Sequence, residues 1–184
     1  MDYYTLRALA LEWDALLSGT TVADVWTQSP RELSVALENR PVSAANADGV
    51  RHTIRIACDP ALPLLFRSKG SGRQKRNTAD VLPGMTGRAV VGVRVADRDR
   101  HVFVVLEGGS RLQIVLFGPT PNVYWVQEGV VRDAFLDHDE WVGEPAPAPR
   151  PAPVVDTVEA FRERWKASRK TLGQATAAAA PLLT

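Results

Sequence analysis

The chain is poor in cysteine and has no long apolar run. Its 184 residues include one cysteine, which excludes an internal disulfide framework and a zinc site built from clustered cysteines. The setting of Cys58, R-H-T-I-R-I-A-C, predicts a small buried apolar residue rather than a reactive thiol. The first apolar stretch has no basic segment before it and is interrupted by Arg7, Glu12 and Asp14. The sequence therefore predicts neither a signal peptide nor a membrane span, and we expect a soluble, cytoplasmic protein.

The charge of the chain is unevenly distributed. Between Arg51 and Arg111 there are twelve Arg and Lys against five Asp and Glu, so with +1 overall the remainder carries −6. A basic sector of this kind is typical of proteins that bind polyanions.

Hydrophobic periodicity predicts one helix followed by many short strands. The helix should begin at Asp2 and end at Gly19, and its apolar stripe consists of Leu6, Leu9, Ala10, Trp13, Leu16 and Leu17. From Thr21 the apolar period changes to two, and strands are predicted up to about residue 134, with a short helix over 77–82. This pattern favours an α+β fold, an antiparallel β-sandwich or partly closed barrel with flanking helices.

A proline-rich segment divides the chain. The letters E-P-A-P-A-P-R-P-A-P at 144–153 predict an extended spacer with nothing to pack against. We therefore expect a domain over 1–143, a linker over 144–155 and a helical segment over 156–184. That last segment looks like the start of a truncated second domain.

Two tandem Asp-Arg pairs, Asp97-Arg98 and Asp99-Arg100, are the first candidate site. In an extended strand the two aspartates would point one way and the two arginines the other. Two arginines on one surface suit phosphate groups or nucleobase edges, because each guanidinium offers a planar fork of donors. The alternative is an exposed charged turn whose residues pair with one another.

A basic loop is the second candidate. Residues 67–76 read R-S-K-G-S-G-R-Q-K-R, which predicts an exposed, mobile loop. Basic side chains spaced by Gly and Ser can follow a phosphate backbone, and the alternative is a solvated surface loop. The candidate residues are Arg67, Lys69, Arg73, Lys75 and Arg76.

Catalytic and metal-binding patterns are weak. The run Asp137-His138-Asp139-Glu140 resembles a metal cluster, but a solvated acidic turn is the favoured interpretation. His52 and His101 are isolated, and no Ser-His-Asp or Cys-His grouping has supporting context. We expect no enzymatic activity, no metal and no other cofactor.

The order of the motifs along the chain is the most informative feature. They are M-D-Y-Y-T-L-R-A-L-A-L-E-W, N-T-A-D-V-L-P-G-M-T-G, the Asp-Arg pairs, L-F-G-x-x-x-N-V-Y-x-V and D-A-F. This order resembles the N-terminal domain of the NFACT family, ribosome-quality-control proteins formerly named fibronectin-binding proteins. The resemblance covers Met1 to about Phe135.

The resemblance implies a fold similar to the N-terminal domain of formamidopyrimidine-type DNA glycosylases. Those enzymes use an N-terminal proline amine, and here the second residue is Asp2, so glycosylase activity is not expected. An Asp-Arg dipeptide at this place is implicated in engaging tRNA in the family. Asp99-Arg100 matches the family pattern best, while Asp97-Arg98 one step earlier leaves the register open.

The function implied by the resemblance is that of an RNA-binding module. Such a protein would bind the large ribosomal subunit, with its ribosomal RNA and peptidyl-tRNA, and recruit tRNA for untemplated alanine tailing of stalled chains. Family members continue into further regions, so tailing is not expected from these residues alone. Two alternatives stay open: a surface adhesin whose partner is fibronectin, and a DNA-binding or repair-like domain without glycosylase activity.

Overall fold

The computed structural model describes residues 2–39, 51–70, 72–116, 118, 120–150 and 162. The chain divides into two compact units, Met1–Pro151 and Ala152–Thr184. In the second unit only Arg162 is described, as an exposed helical residue. Apart from Arg162, the helix expected after residue 156 lies outside the described residues.

The N-terminal helix α1 spans Tyr3–Leu17, as its apolar spacing predicts. The Asp2 carboxylate caps it by accepting a hydrogen bond from the Thr5 N–H at 2.8 Å. Gly19, just beyond the helix, has φ of 84°, which suits glycine. Spaced three and four residues apart, the buried side chains of α1 form one face: Leu6, Ala10, Trp13 and Leu17.

Five antiparallel strands form the first sheet, in the spatial order β4-β3-β2-β1-β5. They are β1 Thr20–Ser29, β2 Glu32–Asn39, β3 Arg51–Ala57, β4 Leu64–Lys69 and β5 Ala79–Asp80. The first four strands form a meander. Between β4 and β5 the chain then passes from one edge of the sheet to the other.

A second five-stranded antiparallel meander follows, in the order β10-β9-β8-β7-β6. Its strands are β6 Val90–Val95, β7 His101–Leu106, β8 Ser110–Val115, β9 Asn122–Gln127 and β10 Val130–Ala134. A 3-10 helix, Pro83–Met85, precedes this sheet, and a short helix α2, His138–Trp141, follows it.

One apolar core joins α1 and both sheets. It includes Trp13 from α1, Val25 and Ile54 from the first sheet, and Leu112 and Ile114 from the second. The expected antiparallel β-rich fold is therefore confirmed, and it consists of two sheets and few helices. The likeness to a glycosylase domain remains a prediction.

The two sheets are joined at one corner through β1. A β-bulge interrupts the register of β1 between Val22 and Asp24. The N–H of Val22 donates to the Arg88 carbonyl at 2.9 Å, and the N–H of Gly19 donates to the Val90 carbonyl at 2.8 Å. The start of β1 thus pairs with the chain that leads into β6.

The short helix expected over 77–82 is wrong. Ala79 and Asp80 form β5 instead, pairing with Thr27 and Trp26 of β1. Six residues are too few for a stable isolated helix, whereas the open edge of β1 offers ready backbone partners.

Candidate nucleic-acid interface

The two Asp-Arg pairs lie in the turn between β6 and β7. The N–H of Ala96 donates to the His101 carbonyl at 2.8 Å, and the N–H of Asp99 donates to the Ala96 carbonyl at 3.4 Å. Arg98 has φ of 54°, which reverses the chain direction. The two pairs therefore do not lie in an extended strand, the conformation that would place the aspartates on one side and the arginines on the other. The charged-turn alternative describes the conformation.

Asp99 is held inside this turn rather than presented to solvent. Its carboxylate accepts hydrogen bonds from the N–H groups of Arg100 and Arg150, each at 2.6 Å. It also lies 3.6 Å from Nε2 of His101, and its side chain is 17% exposed. Asp97, Arg98 and Arg100 are exposed. Both arginines also have an interaction within the chain.

A groove of about 350 Å³ lies beside this turn, between the first half of α1 and β6. Two arginines from distant parts of the sequence, Arg7 and Arg94, line it together with Tyr3 and Asp97. Neither Arg7 nor Arg94 is among the site residues predicted from the sequence. Nothing in the local sequence marks them, because only the packing of α1 on β6 brings them together.

Two residues of the expected basic loop belong to a strand. Arg67 and Lys69 lie in β4. The Arg67 guanidinium donates to Nδ1 of His52 at 3.0 Å and lies 3.4 Å from the Glu12 carboxylate of α1. Lys69 is exposed. Arg67 is therefore occupied within the domain, at the contact between α1 and the first sheet.

Residues 72–78, which include the end of that stretch, lead from the β4 edge of the first sheet towards β5 at the opposite edge, and we call them the crossing loop. Arg73 anchors it, with its guanidinium 2.6 Å from both the Asp24 and the Asp80 carboxylate. Hydrogen bonds from Arg73 to these carboxylates raise its pKa above the ordinary value. The guanidinium also lies 5.7 Å from the ring centre of Trp26, which is fully buried.

The mobility of the loop stays a prediction, but the crossing loop is tied to the sheet by ion pairs and covers an aromatic ring. Lys75 and Arg76 are exposed on its surface. Of the five basic candidates, Arg67 and Arg73 hold the domain together, and Lys69, Lys75 and Arg76 remain available to a partner.

The proline-rich segment is also ordered where it is described. Residues 144–150, which we call the proline strap, lie along the outer face of the second sheet. The N–H of Ala146 donates to the Gly129 carbonyl at 2.8 Å, and Nε2 of Gln113 donates to the Pro147 carbonyl at 2.6 Å. The expectation of a spacer with nothing to pack against is wrong for these residues. Proline keeps the segment extended, and the sheet supplies its partners.

A second small apolar cluster lies under the start of the strap. The ring of Trp141 meets that of Tyr124 edge to face, with the centres 4.9 Å apart. Burial raises the pKa of Tyr124 to about 12. The buried members of this cluster come from β9 and β10: Tyr124, Val126, Val131 and Ala134.

Two histidines of the described residues lie beside aspartate carboxylates. Burial lowers the pKa of His101, with Asp99 opposing the effect. Nδ1 of His138 lies 2.9 Å from the Asp133 carboxylate. In the part of the chain that the structure describes, no group of three or more His, Cys, Asp or Glu could hold a metal ion. Over the same residues, no helix is both long and apolar enough to cross a membrane.

Comparisons with known proteins identify the fold. No protein-family profile matches the chain, and no curated protein matches it. The N-terminal domain of fibronectin-binding protein PavA from Streptococcus pneumoniae is similar, with a TM-score of 0.68 at 12% identity over 89% of this chain and 68% of that one. The N-terminal part of the fibronectin/fibrinogen-binding protein from Streptococcus suis gives 0.64 at 12% identity, over 86% and 67%. The chain therefore has the fold of these streptococcal N-terminal domains.

Proposed function

We propose that this chain is a macromolecule-binding module that binds RNA through the turn between β6 and β7. The observation that carries the proposal is the meeting of an arginine of α1 and an arginine of β6 in one groove beside this turn. Arg7 and Arg94 line one groove, and Asp97, at the start of the Arg98–Arg100 turn, lines it too. Guanidinium groups bind phosphate through paired, charge-assisted hydrogen bonds, and grouped ones bind a polyanion together.

The wider role follows from the sequence resemblance. The intact protein would act in ribosome quality control, binding large subunits that still hold peptidyl-tRNA and recruiting tRNA for alanine tailing in the cytoplasm. It would do so as a binding protein and not as an enzyme. The similar solved structures support this resemblance for the fold alone. The proposal that the ligand is RNA rests on the arginines.

The salt dependence of tRNA binding tests the proposal. Arg98→Ala with Arg100→Ala should weaken binding and reduce the log–log salt slope by roughly 1.5, because each lost phosphate contact removes about 0.7–0.9. Arg132→Ala is the control, since Arg132 is exposed on β10 and pairs with Glu128 at 3.8 Å, away from the turn. An unchanged slope in the turn variant would contradict the proposal.

The crossing loop can be tested in the same assay. Lys69, Lys75 and Arg76 should be neutralised together and Arg73 kept, because Arg73 holds the loop on the sheet. A reduced slope would extend the interface to the first sheet. An unchanged slope would show that these three side chains are only solvated. Sedimentation of the intact protein with large subunits rather than whole ribosomes would test the wider role.

Fibronectin binding is the second candidate. The observation that favours it is that both similar structures carry names for fibronectin or fibrinogen binding. Binding of this chain to fibronectin that persists at high salt, together with no binding to tRNA, would support this candidate against the first. A preference for damaged duplex DNA over tRNA would instead favour the DNA-binding alternative.

A further inference from the structure

The proline strap ends at the Asp-Arg turn. The backbone N–H of Arg150 lies 2.6 Å from the carboxylate of Asp99, the residue between Arg98 and Arg100. The Arg150 side chain is exposed. A residue 51 positions along the chain is thus hydrogen-bonded to Asp99, which separates the two turn arginines in sequence.

The strap is held at further points before it reaches Asp99. Ala146 bonds to Gly129 through the backbone, and Pro147 accepts from Gln113. Gln113 is fully buried, and its Oε1 accepts from the Arg111 guanidinium at 3.0 Å. Because a buried amide is costly to leave unpaired, Gln113 fixes the path of the strap towards the turn.

We propose that Arg150 belongs to the RNA-binding surface and that Asp99 is a positioning residue that holds it there. This inference rests on the proposed function. Asp99 directs its carboxylate to the N–H groups of Arg100 and Arg150 and also lies beside His101, so it contributes to binding through the placement of Arg150. A carboxylate near a phosphate backbone would otherwise weaken the binding of RNA.

The direction of the change in tRNA affinity distinguishes a positioning role of Asp99 from that of an ordinary surface charge. Asp97→Ala removes an exposed carboxylate that lines the arginine groove beside the same turn, so it should raise the affinity for unfractionated tRNA. Asp99→Ala removes the same charge but releases Arg150, so it should lower the affinity by about three- to tenfold and reduce the salt slope by roughly 0.7–0.9. Asp99→Ala behaving like Asp97→Ala would overturn the inference.

A double-mutant cycle tests the link between the two residues. Arg150→Ala should reproduce the loss seen with Asp99→Ala, and the double variant should be no weaker than either single one. Losses that add in the double variant would show independent roles and overturn the inference. Gln113→Ala changes no charge, and it should also weaken binding because it frees the strap.

The hydrogen bond from the Arg150 N–H to Asp99, which we call the clamp, can be measured without RNA by hydrogen exchange at the Arg150 amide. Exchange should be slow in the wild type, faster in Asp99→Ala and intermediate in Asp99→Asn, which keeps one oxygen acceptor. Equal exchange in all three would refute the clamp even if tRNA binds. Failure of the wild type to bind tRNA would overturn the proposed function, and with it the role of Arg150 in binding. The exchange result would still show whether Asp99 holds the Arg150 N–H.

Discussion

Arg73 and Asp24 form an ion pair 49 residues apart in sequence, with Nη1 of the arginine 2.6 Å from the carboxylate. The pair joins the crossing loop to the middle of β1. Arg73 also bonds to Asp80 of β5 and lies over Trp26. The Arg73 side chain thus fixes the crossing loop, although the composition of this loop predicts a solvent-exposed segment.

We expect Arg73→Ala to destabilise the domain by about 1–2 kcal/mol, because it removes two partly exposed, charge-assisted hydrogen bonds and uncovers an aromatic ring. Urea denaturation monitored by Trp fluorescence would measure the change. Lys75→Ala, in the same loop but exposed, should change stability by less than about 0.5 kcal/mol. Similar effects in both variants would show that Arg73 does not anchor the loop.

Gly84 is required where the 3-10 helix passes over Trp125. A Cβ added at Gly84 would lie 2.1 Å from a ring carbon of Trp125. The ring is also covered by Arg88, whose guanidinium carbon is 5.1 Å from its centre and whose Nε donates to the Gly84 carbonyl. We expect Gly84→Ala to destabilise the domain by about 1–3 kcal/mol, because the ring has to move.

Gly118→Ala is the matched control for that substitution, since a Cβ there would meet nothing within 4 Å. It should be neutral or slightly stabilising through its effect on the unfolded chain. Thermal denaturation of both variants would measure the difference. Equal melting temperatures would contradict the close packing at Gly84.

Stability should fall on mild acidification. Burial lowers the pKa of both His52 and His101 below the ordinary value of 6.5, and Arg67 and Lys69 lower that of His52 further. The unfolded chain therefore takes up more protons than the folded one as the pH falls below 6.5, and the folded state loses stability. Above pH 6.5 this contribution is fully present.

Urea midpoints at pH 7.5 and 5.5 would measure the effect. The double variant His52→Gln with His101→Gln should have a smaller difference between the two pH values than the wild type. Glutamine at position 52 can still accept the hydrogen bond from Arg67. A wild-type protein with equal midpoints at both pH values would refute the prediction.

Cys58 should be inert in the folded protein. It is fully buried, and burial raises the pKa of its thiol to about 12. We expect no reaction with a thiol reagent at pH 8 in buffer and complete reaction in denaturant, because the thiolate is the reactive form. Rapid labelling of the folded protein would contradict the structure.

The local sequence by itself determined the helix and most of the strands. The spacing of Leu6, Ala10, Trp13 and Leu17 gives α1 one apolar face, and Asp2 and Gly19 mark its ends. Alternation of apolar residues likewise predicted the strands of the second sheet, whose turns contain glycines such as Gly109 and Gly129. These features depend on near neighbours in the chain, so a periodic pattern is sufficient to predict them.

Tertiary structure decided which charged residues face a partner. Asp99 and Arg73 are charged residues of a kind usually found at the surface, yet both are bonded within the chain. Asp99 accepts from the N–H of Arg150, 51 residues away, and Arg73 pairs with Asp24, 49 residues away. Arg7 and Arg94 are not site candidates by their local sequence, yet they share a groove. Whether a charge is paired depends on which distant segments the core brings together, and a local pattern carries no information about that.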